Sequence, residues 1–254
     1  MALPGEGITY VQLVIYGLIW GSFLTMLIYR LPRKKSLLTR HSFCIHCRTG
    51  LKFRDLVPLF SFIHLRGRCR YCGEKISLSY PIVELLTVSL FIFCYRYFGF
   101  TLLFYKYILI FTLLLAISCI DLEKGVIPNQ LVLILLCWSL IWQFLYPVIN
   151  IKMASICLLV GGLLFYIIAV LSKGGMGGGD IKLMALLGFS IGFPTVLVNF
   201  FLAFLLGAIV GVVMLILGKK TGKDSLPFGP FLCLAYFISI FWGERLWYFY
   251  SLYK

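Results

Sequence analysis

The sequence predicts an all-α polytopic membrane protein with about eight transmembrane helices and one small cysteine-containing insertion. Three observations support this fold class. Hydrophobic residues make up 61% of the 254 residues. They gather in long uninterrupted runs, and most charged residues lie between the runs. This composition excludes a soluble globular domain.

Seven apolar runs are each long enough to cross the hydrocarbon core, which needs about 20 residues. They lie at residues 8–29, 81–99, 101–120, 130–148, 152–172, 195–218 and 227–250. A shorter stretch, 181–193, is predicted as an eighth span. The first run has no basic start and no small-residue cleavage site before a soluble body, so we interpret it as a retained helix and not as a signal peptide. The predicted domains are a first transmembrane helix (1–29), a cysteine domain (30–80) and a transmembrane core (81–254).

The basic residues predict the orientation of these spans. Lys and Arg in short loops are retained on the cytoplasmic side of a membrane. The loop from Arg30 to Lys75 contains twelve Lys and Arg but only two acidic residues, so we expect it to be cytoplasmic and the N-terminus to be periplasmic. Alternating the remaining spans then brings two acidic residues, Asp121 and Asp180, to the cytoplasmic face.

The net charge of +14 is also compatible with nucleic-acid binding, because the basic loop contains aromatic residues. The orientation rule explains the charge more simply. Each Lys or Arg near an anionic lipid surface gains about 1 kcal/mol. We therefore expect membrane lipid, and no nucleic acid, as a partner of this chain.

The cysteine domain contains two Cys-x2-Cys pairs, a spacing typical of a four-thiolate zinc site. The predicted ligands are Cys44, Cys47, Cys69 and Cys72. Two disulfides or four free thiols are the alternatives, and a reducing cytoplasm disfavours disulfides. Three histidines of the same loop remain possible replacements for one thiolate: His41, His46 and His64.

Two carboxylates at the ends of hydrophobic spans are the candidate catalytic residues. The whole chain has nine acidic residues, and a charge at the centre of a bilayer costs about 3 kcal/mol, so Asp121 and Asp180 predict a functional site. Two carboxylates held close together share one proton. The ionised member can then activate a water molecule while the protonated member polarises a carbonyl group. A transporter that relays protons or cations is the alternative, although the two halves of the chain show no internal repeat.

A glycine run precedes the second acidic residue. Gly177, Gly178 and Gly179 would let the backbone turn freely and let a substrate backbone approach closely. The alternative is a flexible loop in which Asp180 is the N-cap of a helix that starts at Ile181-Lys182. The sequence leaves both interpretations open.

Six sequence blocks resemble those of the bacterial type IV prepilin peptidases, a family of GxGD intramembrane aspartyl peptidases. GMGGGDIKLMALLG (175–188) is similar to the GxGD signature, and DLEKGVIPNQL (121–131) to the motif of the first aspartate. The other blocks are GSFLTMLIYRLP (21–32), LRGRCRYCGEKIS (65–77), YPIVELLT (80–87) and LPFGPFL (226–232). They occur in the order expected for the family and cover nearly the whole chain.

The resemblance implies a bifunctional enzyme of the bacterial inner membrane. Members of the family cleave the leader of type IV prepilins or type II secretion pseudopilins after a glycine on the cytoplasmic side. They then methylate the new N-terminus with S-adenosylmethionine. By motif match, Asp121 and Asp180 are the catalytic pair, and Gly177, Gly179 and Lys182 are supporting residues. The implied partners are prepilin or pseudopilin helices.

For the methyl transfer, the resemblance points to the cysteine domain and its flanks. Gly67 and Glu84 are the candidate cofactor-binding residues. Glu84 is the only acidic residue of its span, although a helix macrodipole alone can explain an acid near a helix start. The sequence departs from the family at Thr25, where asparagine is common, so we expect the contacts of this position to differ from the family pattern.

Overall fold

The structure is a computed structural model that describes residues 6–36, 42–172, 175–219 and 226–252. Within these ranges the regular secondary structure is helical, with no β-strand. Two isolated β-bridges lie in the cysteine domain. The predicted all-α class is therefore confirmed.

A long helix lies at each of the eight predicted hydrophobic segments. These helices are α1 (Glu6–Arg30), α3 (Ser79–Phe98), α4 (Leu102–Lys124), α5 (Asn129–Leu145), α6 (Ile151–Leu171), α7 (Gly178–Ile191), α8 (Thr195–Ile216) and α9 (Gly229–Leu252). The cysteine domain adds the short helix α2 (Phe60–His64) and a single 3-10 turn. The predicted ends shift most at α4, which continues beyond residue 120, so that Asp121 lies inside the last turn of the helix.

Five of these helices are long and apolar enough to cross a membrane, namely α1, α3, α4, α6 and α8. The predicted count of about eight spans is thus not confirmed by length and composition. Helix α5 has 17 residues and α7 has 14, both below the roughly 20 residues that a perpendicular span needs.

Residues 1–116 form the first of two compact units, which we call unit 1. Its helices α1 and α3 pack side by side through the sequence Gly17-x3-Gly21. A Cβ atom at Gly17 would lie 2.8 Å from Val88 Cα, and one at Gly21 would lie 2.8 Å from Glu84 Cα. Only glycine lets the two backbones approach this closely, as in other small-residue interfaces between membrane helices. The contact fixes Glu84 beside the second half of α1.

Residues 117–254 form the second unit, unit 2, in which α7 is the central helix. It contacts α5, α6, α8 and α9, and most of its residues after Lys182 are buried. A Cβ atom at Gly188 would lie 2.5 Å from the carbonyl oxygen of Cys157 in α6. This close packing holds α7 firmly and thereby positions the carboxylate in its first turn.

Candidate active site and cysteine module

Asp121 is a buried carboxylate at the end of α4. The helix ends at Gly125, whose N–H donates to the Asp121 carbonyl oxygen at 2.7 Å and whose φ is +64°, a left-handed conformation that suits glycine. The Asp121 side chain is only 6% exposed. Its Oδ2 atom accepts a hydrogen bond of 2.9 Å from the N–H of Gly229, the first residue of α9.

Asp180 lies in the first turn of α7, which begins at Gly178 with Gly177 as its N-cap. The interpretation of Asp180 as the N-cap of a helix from Ile181 is therefore wrong, because the extended Gly177 lets the helix start earlier. The Asp180 carboxylate folds back toward that cap, since a Cβ atom at Gly177 would lie 3.3 Å from Oδ2. The other oxygen, Oδ1, is buried and has no hydrogen-bond partner among the described residues.

The fold brings the two aspartates close enough for their carboxyl groups to interact electrostatically. The buried thiol of Cys233, on α9, interacts with both carboxyl groups and with the hydroxyl of Ser118. Three helix ends therefore meet at this point, namely the C-terminus of α4 and the N-termini of α7 and α9. Helix N-termini favour negative charge, which makes this a suitable environment for one ionised carboxylate.

Gly179 and Lys182, two residues predicted to support Asp180, contact other residues in place of the carboxylate. A Cβ atom at Gly179 would lie 2.8 Å from Ile127 Cβ, so this position has no room for a side chain. Lys182 points elsewhere: its Nζ donates to Asn129 Oδ1 at 3.2 Å. Lys182 therefore ties α7 to the start of α5 and makes no ion pair with either aspartate.

The four predicted zinc ligands form one cluster. The Sγ atoms of Cys44, Cys47, Cys69 and Cys72 all lie within 4.8 Å of one another. The Cys44 and Cys72 sulfurs are 3.9 Å apart, close to the roughly 3.8 Å that follows from tetrahedral geometry with Zn–S bonds of about 2.3 Å. All nine cysteines are free thiols, so the disulfide alternative does not describe this fold. His46 and His64 are not members of the cluster, and His41 lies outside the described residues.

The cluster is built from two loops with the same backbone pattern. In the first loop, Cys44 N–H donates to the Thr49 carbonyl, and Arg48 N–H donates back to the Cys44 carbonyl. Cys69, Gly73 and Glu74 repeat this pattern in the second loop. Hydrogen bonds with Thr49 lower the pKa of the Cys47 thiol to about 6. A backbone hydrogen bond with Glu74 lowers the pKa of Cys72, but burial and hydrogen bonds with the other three cluster thiols outweigh it and raise this pKa to about 12. The four thiols therefore hold their protons unequally, and a metal ion would bind them as thiolates.

Asp55 joins the middle of the cysteine domain to the second loop. Its carboxylate accepts hydrogen bonds from Arg70 Nε at 2.7 Å, Tyr71 OH at 2.9 Å and Lys52 N–H at 3.1 Å. Burial opposes the charge, but these donors outweigh it and lower the pKa of Asp55 below its usual value. The polar bridge therefore consolidates the cysteine domain at neutral pH.

A cavity of about 410 Å³ lies within unit 1, between the second half of α1, the start of α3 and the cysteine domain. Glu84 lines it and is 7% exposed. Its Oε2 accepts a 2.8 Å hydrogen bond from Leu59 N–H. Leu59 has a φ of +58°, an uncommon conformation for a residue with a branched side chain. Tyr29 and Tyr80 add aromatic surface to the cavity.

Gly67 and Thr25, two other residues of unit 1 named in the sequence analysis, have structural contacts of different kinds. Gly67 does not line the cavity but supports a residue that does, because a Cβ atom there would lie 3.0 Å from Phe62 Cζ. Its φ of +66° also favours glycine. Thr25 lines the cavity and donates its hydroxyl to the Ser22 carbonyl at 2.7 Å, so this hydroxyl donor is paired within α1.

The sequence alone assigns no role to Gly229 or to Leu59. The start of α9 at Gly229 could have been predicted, because a Gly-Pro pair at the start of a hydrophobic segment is typical of a helix N-terminus. No local pattern marks Leu59, whose N–H meets Glu84 only in the folded chain.

Comparison with known proteins gives consistent matches over most of the chain. The model of the bacterial peptidase A24 N-terminal domain matches residues 15–98, and that of the type IV leader peptidase family matches residues 108–212. A prepilin leader peptidase/N-methyltransferase of Bacillus subtilis is 32% identical over 94% of this chain and 96% of its own length. Proteins of the same name from Legionella pneumophila (31% identical, 94% of each chain) and Aeromonas hydrophila (32%, 94% of this chain and 93% of the relative) are similarly close. No solved structure matches the chain.

Proposed function

Since the chain belongs to the type IV leader peptidase family, we propose that Asp121 and Asp180 cleave the leader from prepilin-type substrates. The family and the names of the relatives identify a peptidase with N-methyltransferase activity. One observation carries the assignment of the catalytic pair: two membrane-edge carboxylates from different helices interact at the meeting point of three helix ends. Both lie within the segment that matches the family.

Peptide hydrolysis by this pair needs one proton shared between two carboxyl groups. The ionised carboxylate accepts a proton from water as the water oxygen bonds to the scissile carbonyl carbon. The protonated partner hydrogen-bonds the carbonyl oxygen and stabilises the charge that develops there. When the intermediate collapses, the C–N bond breaks, and the leaving nitrogen takes a proton to become the new N-terminal amine.

We propose type IV prepilins or type II secretion pseudopilins as substrates, with cleavage after a glycine. The glycines at 177 and 179 support a narrow approach to Asp180, since Gly179 packs against Ile127 with no space for a side chain. Lys182 supports the same turn by its bond to Asn129. A substrate helix with an unwound end would present its backbone to the carboxylates here.

We propose that Cys44, Cys47, Cys69 and Cys72 hold a structural zinc ion. The sulfur separations fit a tetrahedral ion, and both loops present their thiols through the same backbone pattern. Four thiolates leave no open position for a substrate or water. The ion would therefore stabilise the fold of the cysteine domain and take no part in peptide hydrolysis.

The cavity in unit 1 is the proposed site for methyl transfer. S-adenosylmethionine would supply a methyl group carried on a positively charged sulfur. Small-molecule sites have volumes of a few hundred Å³ with a few polar groups, and this cavity fits that description. Glu84 would attract the positive charge of the donor or of the substrate amine, and the faces of Tyr29 and Tyr80 would add cation–π attraction. Gly67 would contribute indirectly, by giving Phe62 its position.

We further propose that all eight long helices lie in the bacterial inner membrane, with the N-terminus in the periplasm and both aspartates on the cytoplasmic side. The basic loop between Arg30 and Lys75 supports this orientation through the positive-inside rule. A lipid bilayer would surround the apolar helix faces.

The experiment that tests the overall function uses purified protein in proteoliposomes and a prepilin-type substrate with a basic leader that ends in glycine. Mass spectrometry should detect the released leader and a product that carries one added methyl group when S-adenosylmethionine is present. A substrate with valine in place of that glycine is the matched control and should remain uncleaved. Intact substrate after prolonged incubation with several prepilin sequences would refute the proposal.

A further inference from the structure

The two aspartates differ in their hydrogen bonding. Asp121 Oδ2 receives the backbone N–H of Gly229 at 2.9 Å, and both groups are buried. Asp180 Oδ1 is buried as well but has no partner within the described ranges. An N–H donor stabilises a carboxylate more than a carboxylic acid. The backbone of Gly177 and Asp180 also interacts with the Asp180 carboxyl group, but its buried Oδ1 has no donor in the described part of the chain, so a proton can reside on that oxygen without the loss of a hydrogen bond.

Gly229 is required for the first of these contacts. A Cβ atom built on Gly229 would lie 2.8 Å from Asp121 Oδ2, 3.2 Å from Cγ and 3.3 Å from Cβ. No side chain fits there unless the carboxylate or the start of α9 moves away. Gly229 lies outside both segments that the family models match, which end at residues 98 and 212.

We propose that Gly229 is a positioning residue that holds Asp121 as the ionised, water-activating carboxylate and leaves the shared proton on Asp180 Oδ1. This inference rests on the proposed peptidase function and adds a division of roles within the pair. Asp121 then takes the proton from water, and Asp180 donates its proton toward the scissile carbonyl oxygen. When the C–N bond breaks, the proton gained by Asp121 passes to the leaving nitrogen. A hydroxyl group of the intermediate returns its proton to Asp180 as the carbonyl forms again, which restores the starting state.

The other ionisable groups around Asp121 are consistent with this assignment. Asp180 faces it from α7, and Cys233 faces it from α9. Cys119 and Glu123 each lie two residues from Asp121 on α4 and interact with one another. A second negative charge close to Asp121 is unfavourable, so ionisation of Asp121 by its N–H donor keeps Asp180 protonated.

Gly229→Ala tests the inference, with Gly211→Ala as the matched control. A Cβ atom at Gly211 would make only an ordinary contact of 3.4 Å with Leu226. We expect Gly229→Ala to lower kcat for leader cleavage about 100-fold, which is the effect of losing one positioned N–H donor in catalysis, while KM stays within about threefold. Gly229→Ser should be at least as impaired, and Gly211→Ala should cleave like the wild type.

Two further measurements separate a local effect from misfolding. The Gly229 variants should still methylate a substrate that has already lost its leader, because that activity is assigned to unit 1. Replacement of Gly229 by glycolic acid, which changes only the N–H into an ester oxygen, should also lower kcat with little change in KM. Normal kcat in the ester variant would overturn the inference. A wild-type protein that cleaves nothing would instead refute the proposed function.

Discussion

The two units hold their key carboxylates by different means. In unit 2, Asp121 and Asp180 lie at the ends of tightly packed helices, and glycine backbones hold them in place. In unit 1, Glu84 meets the backbone of a loop, and that loop belongs to a domain with little hydrophobic core and a four-thiol cluster. Helix packing therefore holds the carboxylates of unit 2 in a fixed position. In unit 1, we propose that a metal ion bound by the four cysteines holds the loop in place, because a domain of about 50 residues buries little apolar surface.

Removal of a predicted zinc ligand should have the largest effect, and this effect should be confined to unit 1. Cys72→Ser removes one of four ligands. We expect the zinc content to fall from about one ion per chain to nearly none, because structural zinc contributes about 10 kcal/mol or more to the folding of small domains. Methyl transfer should be lost, whereas cleavage should persist.

Elemental analysis and the two activity assays on the same preparation measure this outcome, and Cys137→Ser, at an exposed thiol of α5, is the control. Equal loss of cleavage and methyl transfer in Cys72→Ser would contradict the view that only unit 1 depends on the metal site.

Overpacking of α7 is the corresponding test of unit 2. In Gly188→Ala the new Cβ atom would lie 2.5 Å from the Cys157 carbonyl oxygen, so α6 and α7 must separate. We expect a loss of about 1–3 kcal/mol in stability and a clear fall in cleavage with normal zinc content. Thermal unfolding in detergent provides the measurement. An unchanged Tm would show that α7 is held less tightly than the contact implies.

Glu84→Gln separates charge from shape in the unit 1 cavity. Glutamine retains an oxygen that can accept the Leu59 N–H but removes the negative charge. If the charge attracts the cationic donor or the amine, methyl transfer should fall about tenfold to 100-fold, the range expected for about 1.4 to 2.7 kcal/mol of lost attraction. Leader cleavage should not change.

The check is the rate of methylation of a pre-cleaved substrate, with Glu244→Gln at an exposed position of α9 as control. Wild-type methylation by Glu84→Gln would remove the carboxylate from this role.

The smallest effect is expected at the polar bridge of the cysteine domain. Asp55 has a lowered pKa in the folded protein, so its stabilisation is present above its ordinary value of 3.8 and disappears as the pH falls through the lower folded value. At neutral pH, Asp55→Asn should make zinc about twofold to fivefold easier to remove with a chelator, in line with the modest energies of exposed ion pairs. Chelator competition on intact protein measures this. Zinc retention equal to that of the wild type would contradict the role of the bridge.

Much of the helical framework follows from the sequence because apolar runs of sufficient length leave few alternatives in a membrane. Helix ends are less predictable. Asp121 was expected just after α4 but lies inside it, since the left-handed Gly125 and not the last apolar residue ends the helix. Similarly, Gly177 as N-cap starts α7 three residues before the predicted Ile181.

At the candidate sites, the contacts that the sequence did not predict are those between residues far apart in the chain. The spacing of the four cysteines already predicts that they share one centre, and the structure brings them together. The contact of Gly229 with Asp121 and that of Leu59 with Glu84 join residues far apart in the chain. They depend on backbone N–H groups, which every residue except proline possesses, so no residue type signals them.

The most direct test of the catalytic pair is leader cleavage by Asp121→Asn and Asp180→Asn, with Glu123→Gln as an exposed carboxylate control. Each amide preserves the shape of the side chain but cannot share a proton. The account predicts that both variants lose at least about 10³-fold in kcat, as expected when a member of a catalytic unit is removed, while zinc content and methylation of a pre-cleaved substrate stay normal. Cleavage at the wild-type rate by either variant would contradict the assignment of that aspartate to the pair.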